Sequence, residues 1–222
     1  VVMLGLAFSI KLQTILVAPF FFVLLMQKRF KVWHFMVIPA VYIVMIVPAW
    51  LSGGDFVALL TTYFRQAAEY TELQLNFPNI YLFFDASVSK SGIRTVGVLS
   101  VVFLTLLSGW LLRKKEWAAG DYPFMALTSI VLVSFILPGM HERYMYSADV
   151  LAVSCAIINW RYIATAVGIE MVSLIAYGLY VFRGRGMMCN VGFTIFVVAI
   201  IILVIAGKNM LGRGHGNKIR KD

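Results

Sequence analysis

The chain has 222 residues, of which 61% are hydrophobic and 13% charged, and its formal net charge is +9. Its mean hydropathy is +0.88. Soluble domains hold roughly a quarter charged residues, so a soluble globular fold is excluded, and the continuous apolar runs lack the alternation of a transmembrane β-barrel. The basic residues are dispersed among turns rather than gathered on one face, which argues against a nucleic-acid partner.

Apolar runs near the ~20 residues that cross a hydrocarbon core predict an all-α, polytopic transmembrane helix bundle of about seven spans, a single membrane domain over 1–222. The first span covers 1–26 and ends at Gln27-Lys28-Arg29-Phe30-Lys31. It carries Lys11 in mid-span, with Gln13 and Thr14 close by. A lysine at that depth costs at least ~2.5 kcal/mol, so it needs an anion or a wet cavity, unless it snorkels from a helix start or pairs with Asp149 or Glu170. The second span covers 33–51, with Pro39 and Pro48 as kink positions and Gly53-Gly54 as its stop. The third runs over 94–112 to Arg113-Lys114-Lys115-Glu116, and the fourth over 122–139. A short fifth, 145–159, turns at Asn159-Trp160-Arg161 into a sixth of 162–182. The seventh, 190–206, precedes a basic tail over 207–222. The chain opens Val1-Val2-Met3 inside an apolar run, unlike a signal peptide, and reads as the C-terminal portion of a longer protein. Cys155 and Cys189 read as small buried hydrophobes rather than a disulfide.

Positive charge sets orientation. Alternating loops place twelve basic residues on one side: Lys28, Arg29, Lys31, Arg113, Lys114, Lys115, Arg161, Lys208, Arg213, Lys218, Arg220 and Lys221. The other side holds six: Arg65, Lys90, Arg94, Arg143, Arg183 and Arg185. The richer side is the cytoplasmic one, where basic residues suit anionic lipid heads. Residues 53–93 and 141–144 are therefore expected outside and the C-terminus in the cytoplasm.

The external loop 53–93 is too long for a simple connection. Apolar residues recur at Phe56, Leu59, Leu60, Tyr63, Phe64, Ala67, Tyr70 and Leu73, with Arg65, Gln66, Glu69 and Glu72 largely opposite them. That period predicts an amphipathic helix lying in the outer interface. Asn76-Phe77-Pro78-Asn79 then breaks it, because Pro78 disfavours helix at Phe77. Asn76, Asn79 and Tyr81 carry groups suited to sugar hydroxyls, although turn residues bond their own backbone in the same way.

After the fourth span comes His141-Glu142-Arg143-Tyr144. Charges at the mouth of a hydrocarbon slab are functional candidates; the alternative is a boundary marker with Arg and Tyr at the headgroups. Asp149 lies two helical turns beyond Glu142, on the same face. His34, His141 and His215 lie in three separate regions without zinc-ligand spacing, and no Walker or dinucleotide motif identifies a cofactor.

The string Met140-His141-Glu142-Arg143-Tyr144-Met145-Tyr146-Ser147-Ala148-Asp149-Val150-Leu151 resembles the Met-His-Glu-Arg-Tyr-x-x-x-Ala-Asp-Val-Leu segment of bacterial membrane mannosyltransferase-like proteins related to the GPI-anchor mannosyltransferases. Lys11-x-Gln13 and the Asn76-x-Pro78-Asn79 stretch resemble parts of the same family. The resemblance implies a glycosyltransferase of the bacterial plasma membrane that takes a sugar, mannose, from a polyprenyl-phosphate donor to a glycan or lipid acceptor at the outer face. It implies a substrate site of His141, Glu142, Arg143, Tyr144, Asp149, Lys11 and Gln13, with Asn76, Asn79 and Tyr81 in support. It also implies that the catalytic base belongs to an early external loop preceding this segment. A flippase or transporter for lipid-linked sugars would want basic groups in a membrane cavity too, and a non-catalytic subunit binding lipid-linked glycan is a third reading. No internal repeat of the transporter kind is visible between the two halves.

Overall fold

The computed structural model describes residues 1–69, 72–84, 89–182 and 187–216. Tyr70, Arg183, Arg185 and the tail residues Lys218, Arg220 and Lys221 lie outside the described residues, as do the side chains of Ala67, Glu69, Arg213 and His215. The helices are α1 (Val2–Ile10), α2 (Ala18–Met26), α3 (Val37–Leu51), α4 (Phe56–Leu60), α5 (Thr62–Glu69), α6 (Lys90–Leu112), α7 (Asp121–Ile136), α8 (Tyr146–Ile158), α9 (Ile163–Val181) and α10 (Met187–Gly216). Two short strands, β1 (Gln74–Leu75) and β2 (Met140–His141), pair in parallel.

Among the described residues, four helical stretches are long and apolar enough to cross a membrane: Val32–Leu51, Lys90–Leu112, Trp160–Val181 and Met187–Met210. The protein is an all-α integral-membrane bundle. Leu12–Met26 and Asp121–Ile136 are apolar but shorter. The chain packs in a run of neighbours: α10 lies against α9, α9 against α8, α8 against α7, α7 against α2, and α2 against α6, while α1 packs on α3. In lipid, close packing relies on small residues, and Ala148, Ala152, Ala166, Ala176 and Ala199 are all buried at the core. Gly168 admits Ala199, whose Cβ would stand 3.1 Å from a Cβ added there.

The first span, expected as one stretch over 1–26, is broken. Lys11 is extended (φ −147°, ψ 129°), and Leu12–Val17 forms a 3-10 helix before α2 begins. Pro19 lacks the N–H that a continuous helix would give to Ile15. One residue further on, Ser129 of α7 inserts its hydroxyl into the ladder. It accepts from Phe20 N–H at 3.3 Å and donates to the Leu16 carbonyl at 3.1 Å, the two groups that would bond each other in an α-helix. A side chain inserted in this way is a recognised cause of helix distortion.

The single amphipathic helix expected over 56–73 is also corrected. It is two helices, α4 and α5, separated at Thr61, whose hydroxyl and N–H both bond the Val57 carbonyl. Threonine hydroxyls that take a backbone carbonyl compete with the ladder. Asp55 caps α4, accepting from Ala58 N–H at 2.6 Å. The pair is stapled to the bundle: the Tyr63 hydroxyl donates to the Phe8 carbonyl of α1, and Tyr42 of α3 donates to the Leu59 carbonyl at 2.9 Å. Beyond α5 the loop turns inward. Phe77 is fully buried, edge-on to Phe196 of α10 with ring centroids 5.5 Å apart.

Candidate functional site

α7 stops where Pro138 forces the residue before it into extended backbone; Leu137 has ψ 131°. A helix end leaves carbonyls unpaired, and the inward loop supplies their partners. The Tyr81 hydroxyl donates to Ile136 O at 2.6 Å and Asn79 Nδ2 to Leu137 O at 3.4 Å. Gly139, at φ +74°, makes the next turn in a conformation that favours glycine. Its N–H donates to Leu73 O at 2.9 Å, and Met140 and His141 then pair with Gln74 and Leu75. The segment 141–144 is thus held by backbone bonds to residues 73–75 before Glu142–Met145 coils as a 3-10 turn into α8.

This turn splits the four side chains between two environments. His141 and Glu142 are buried, at 8% and 6% exposure, with Nδ1 and Oε2 3.9 Å apart. Burial pushes the imidazole below its ordinary pKa; Glu142 opposes the shift and Arg143 adds to it. Arg143 is exposed and Tyr144 half-buried.

Arg143 and Tyr144 line a cleft of about 440 Å³ together with Lys11 and Gln13 from the break after α1 and Arg94 from the first turns of α6. Tyr63 and Gln66 of α5 add to its polar lining, and among the described residues no Asp or Glu lines it. The side chains of Lys11 and Arg143 make no hydrogen bond or ion pair among the described residues, whereas Arg94 Nη1 reaches the Glu72 carbonyl at 3.5 Å. Lys11 pairs with neither Asp149 nor Glu170. Three cations from three separate elements converging on one cleft raise its affinity for anions.

The structure therefore brings Lys11, Gln13, Arg143 and Tyr144 together. His141 and Glu142 sit outside the cleft lining. Asp149 faces α9, where its Oδ1 accepts from the Ser173 hydroxyl at 2.6 Å. The amide of Asn79 and the hydroxyl of Tyr81 are engaged by the end of α7, and Asn79 Oδ1 also accepts from Tyr81 N–H at 3.2 Å. Asn76 is exposed, at φ +56°. Arg94 is the cleft residue that sequence reasoning missed. Its signal was the spacing to Lys90, which puts both on one helix face. Lys90 bonds the Glu72 carboxylate at 2.8 Å, and Arg94 reaches the carbonyl of the same residue.

Comparison of the chain with protein-family models, curated proteins and solved structures finds no match in any of the three.

Proposed function

We propose that the chain is part of an integral-membrane glycosyltransferase whose cationic cleft holds the phosphate of a polyprenyl-phosphate sugar, with mannose the sugar that the resemblance over 140–151 implies. The observation that carries this reading is the convergence of Lys11, Arg94 and Arg143 on a cleft that no carboxylate lines among the described residues. An apolar cleft of about 410 Å³ between α1, α2 and α3, walled by Phe8, Phe21 and Phe22, shares Ile15 with the cationic one. Head and tail of one amphiphile thus have contiguous places.

In sugar transfer the bond between the anomeric carbon and the phosphate oxygen breaks, and negative charge grows on the departing lipid phosphate. Donors aimed at that charge stabilise the transition state. The planar guanidinium fork of Arg143 suits two phosphate oxygens, while Lys11 and Arg94 add charge. Gln13 and Tyr144 are placed to hydrogen-bond phosphate or sugar. Deprotonating the acceptor hydroxyl calls for a carboxylate base, which this reading assigns to residues outside the cleft. In the same reading the shorter helices complete about seven crossings of a bacterial plasma membrane, with the cleft at the outer face and the C-terminus in the cytoplasm. α7, with 16 residues, is about 24 Å long at the usual rise, which favours a thin or locally compressed crossing.

The test is binding by the purified full chain, measured by native mass spectrometry with polyprenyl phosphate and with the uncharged polyprenol of equal length. Retention of the phosphate over the alcohol, weakened by added salt, is expected. Equal retention of both would remove the phosphate from the site.

A further inference from the structure

α9 is apolar on two faces. One, carrying Ile169, Val172 and Ala176, is buried, where α9 meets α8, α10 and the Glu142–Met145 turn. The other is exposed along its length. Ile163, Val167, Glu170, Leu174, Tyr177 and Val181 all stand on it, and the spacing between them alternates four and three residues from end to end. A strict alternation of that kind is the seam by which one helix packs along another. A side that meets only lipid needs no such register.

Glu170 is the one acid in the seam, and it stands at the middle of the apolar stretch Trp160–Val181. Either end is about 15 Å away at ~1.5 Å per residue, too far for a glutamate side chain to reach headgroup water. It makes no hydrogen bond or ion pair among the described residues. Lipid tails offer none, so the carboxyl, ionised or protonated, is left with unmet polar atoms. Acids within spans almost always face the inside of a bundle and pair there, whereas this one faces out.

Charge selects what covers it. Asp149 of α8 lies near enough for its carboxyl to interact with that of Glu170, and its Oδ1 accepts from Ser173, one turn along α9 from Glu170. The exposed face is therefore negative at mid-depth. A second copy docked through the same face about a two-fold axis would set Glu170 against Glu170, with both Asp149 carboxyls behind them. A cation answers the charge instead. We propose that this face of α9 is a docking surface for a transmembrane helix that carries one lysine or arginine at mid-membrane depth. The cation sits on Glu170, and apolar side chains of the partner helix run along the seam. The proposal does not depend on the reading of the cationic cleft.

The test is energy transfer in phosphatidylcholine vesicles. The purified full chain carries a donor dye at Lys115→Cys, and leucine–alanine transmembrane peptides carry the acceptor. The peptides differ only at their central residue, which is lysine, leucine or glutamate; a fourth has its lysine moved to one end. The central-lysine peptide is expected to associate about ten-fold more tightly than the leucine peptide, the scale of one interhelical polar contact in a membrane. The end-lysine peptide should show no such gain. Glu170→Gln keeps the size of the side chain and should erase the preference while the melting temperature holds, and Glu170→Lys should turn the preference over to the glutamate peptide. Equal association of the lysine and leucine peptides with the unaltered seam overturns the proposal, as does a preference that survives Glu170→Gln. Energy transfer between two labelled copies of the chain, lost in Glu170→Gln, would give the face to a second copy and overturn it likewise.

Discussion

The hydroxyl of Tyr81 donates to the carbonyl of Ile136 at 2.6 Å, and it reaches that carbonyl past residue 97 only because residue 97 is glycine. A Cβ there would collide with the same hydroxyl and stand 3.0 Å from Pro138. Three elements meet at this point: the inward loop, α6 and the end of α7 that leads to the cleft.

Tyr81→Phe keeps the ring but leaves the Ile136 carbonyl without its partner, at a cost of about 1 kcal/mol. Gly97→Ala must push the ring and the end of α7 aside, at a cost of about 1–3 kcal/mol. Thermal unfolding of the detergent-solubilised protein should therefore rank Gly97→Ala below Tyr81→Phe, and both below the unaltered chain. The reverse order would show that α6 yields freely at Gly97.

The membrane class was legible because hydropathy is a sum over many residues and tolerates local error. The break at Lys11 was not, since its cause is spread over the chain. Pro19 is visible in the sequence, but the hydroxyl that takes over the ladder belongs to Ser129, more than a hundred residues away. The amphipathic period over 56–73 was real, yet periodicity carries no information about Thr61 closing its bond on Val57. At the cleft, Lys11 and Arg143 stood out as charges in apolar surroundings. Arg94 did not, because at the start of a span it looks like any flanking charge until the loop folds over it.

The His141 imidazole makes the bundle sensitive to acid. Burial first, and Arg143 second, lower its pKa from the ordinary 6.5, against the pull of Glu142. The folded state therefore binds fewer protons at this site than the unfolded chain does once the pH falls below that value. Its contribution to stability is intact above the ordinary value and is lost as pH drops through the window beneath it. Between about pH 7 and about pH 5, the melting temperature of the unaltered protein should fall more steeply than that of His141→Gln. Parallel curves would mean that His141 is protonated equally in both states.

The asymmetry of basic residues predicts the topology, and cysteine labelling tests it. Ser89→Cys, at the N-terminal end of α6, should react with an impermeant thiol reagent in intact cells. Lys115→Cys, in the basic turn after α6, should react only after the cells are opened. Background is low because Cys155 and Cys189 are both buried. Labelling of Lys115→Cys alone in intact cells would invert the bundle and place the cationic cleft at the cytoplasmic face.

Arg143 offers the sharpest test of the cationic cleft. The residue is exposed beside the cleft, and its guanidinium makes no hydrogen bond or ion pair among the described residues, so substitution breaks no such bond in the fold. Any loss then belongs to the ligand. Arg143→Lys keeps the charge but loses the two-pronged contact with a phosphate, and Arg143→Ala loses both. Removing one member of a desolvated charge pair costs on the order of 2–5 kcal/mol, which is roughly 30-fold or more in affinity or rate. Lys11→Met and Arg94→Gln should each weaken binding less, because two cations remain. Arg113→Ala is the control: that guanidinium lies over the Trp110 ring at 5.2 Å, at the far end of α6, and exposed charges of this kind contribute little. Binding of polyprenyl phosphate, and sugar transfer from a purified polyprenyl-phosphate donor, should fall in the order Arg113→Ala, Arg143→Lys, Arg143→Ala, while the melting temperatures stay together. If Arg143→Ala bound and transferred as well as Arg113→Ala, the phosphate would have to lie elsewhere.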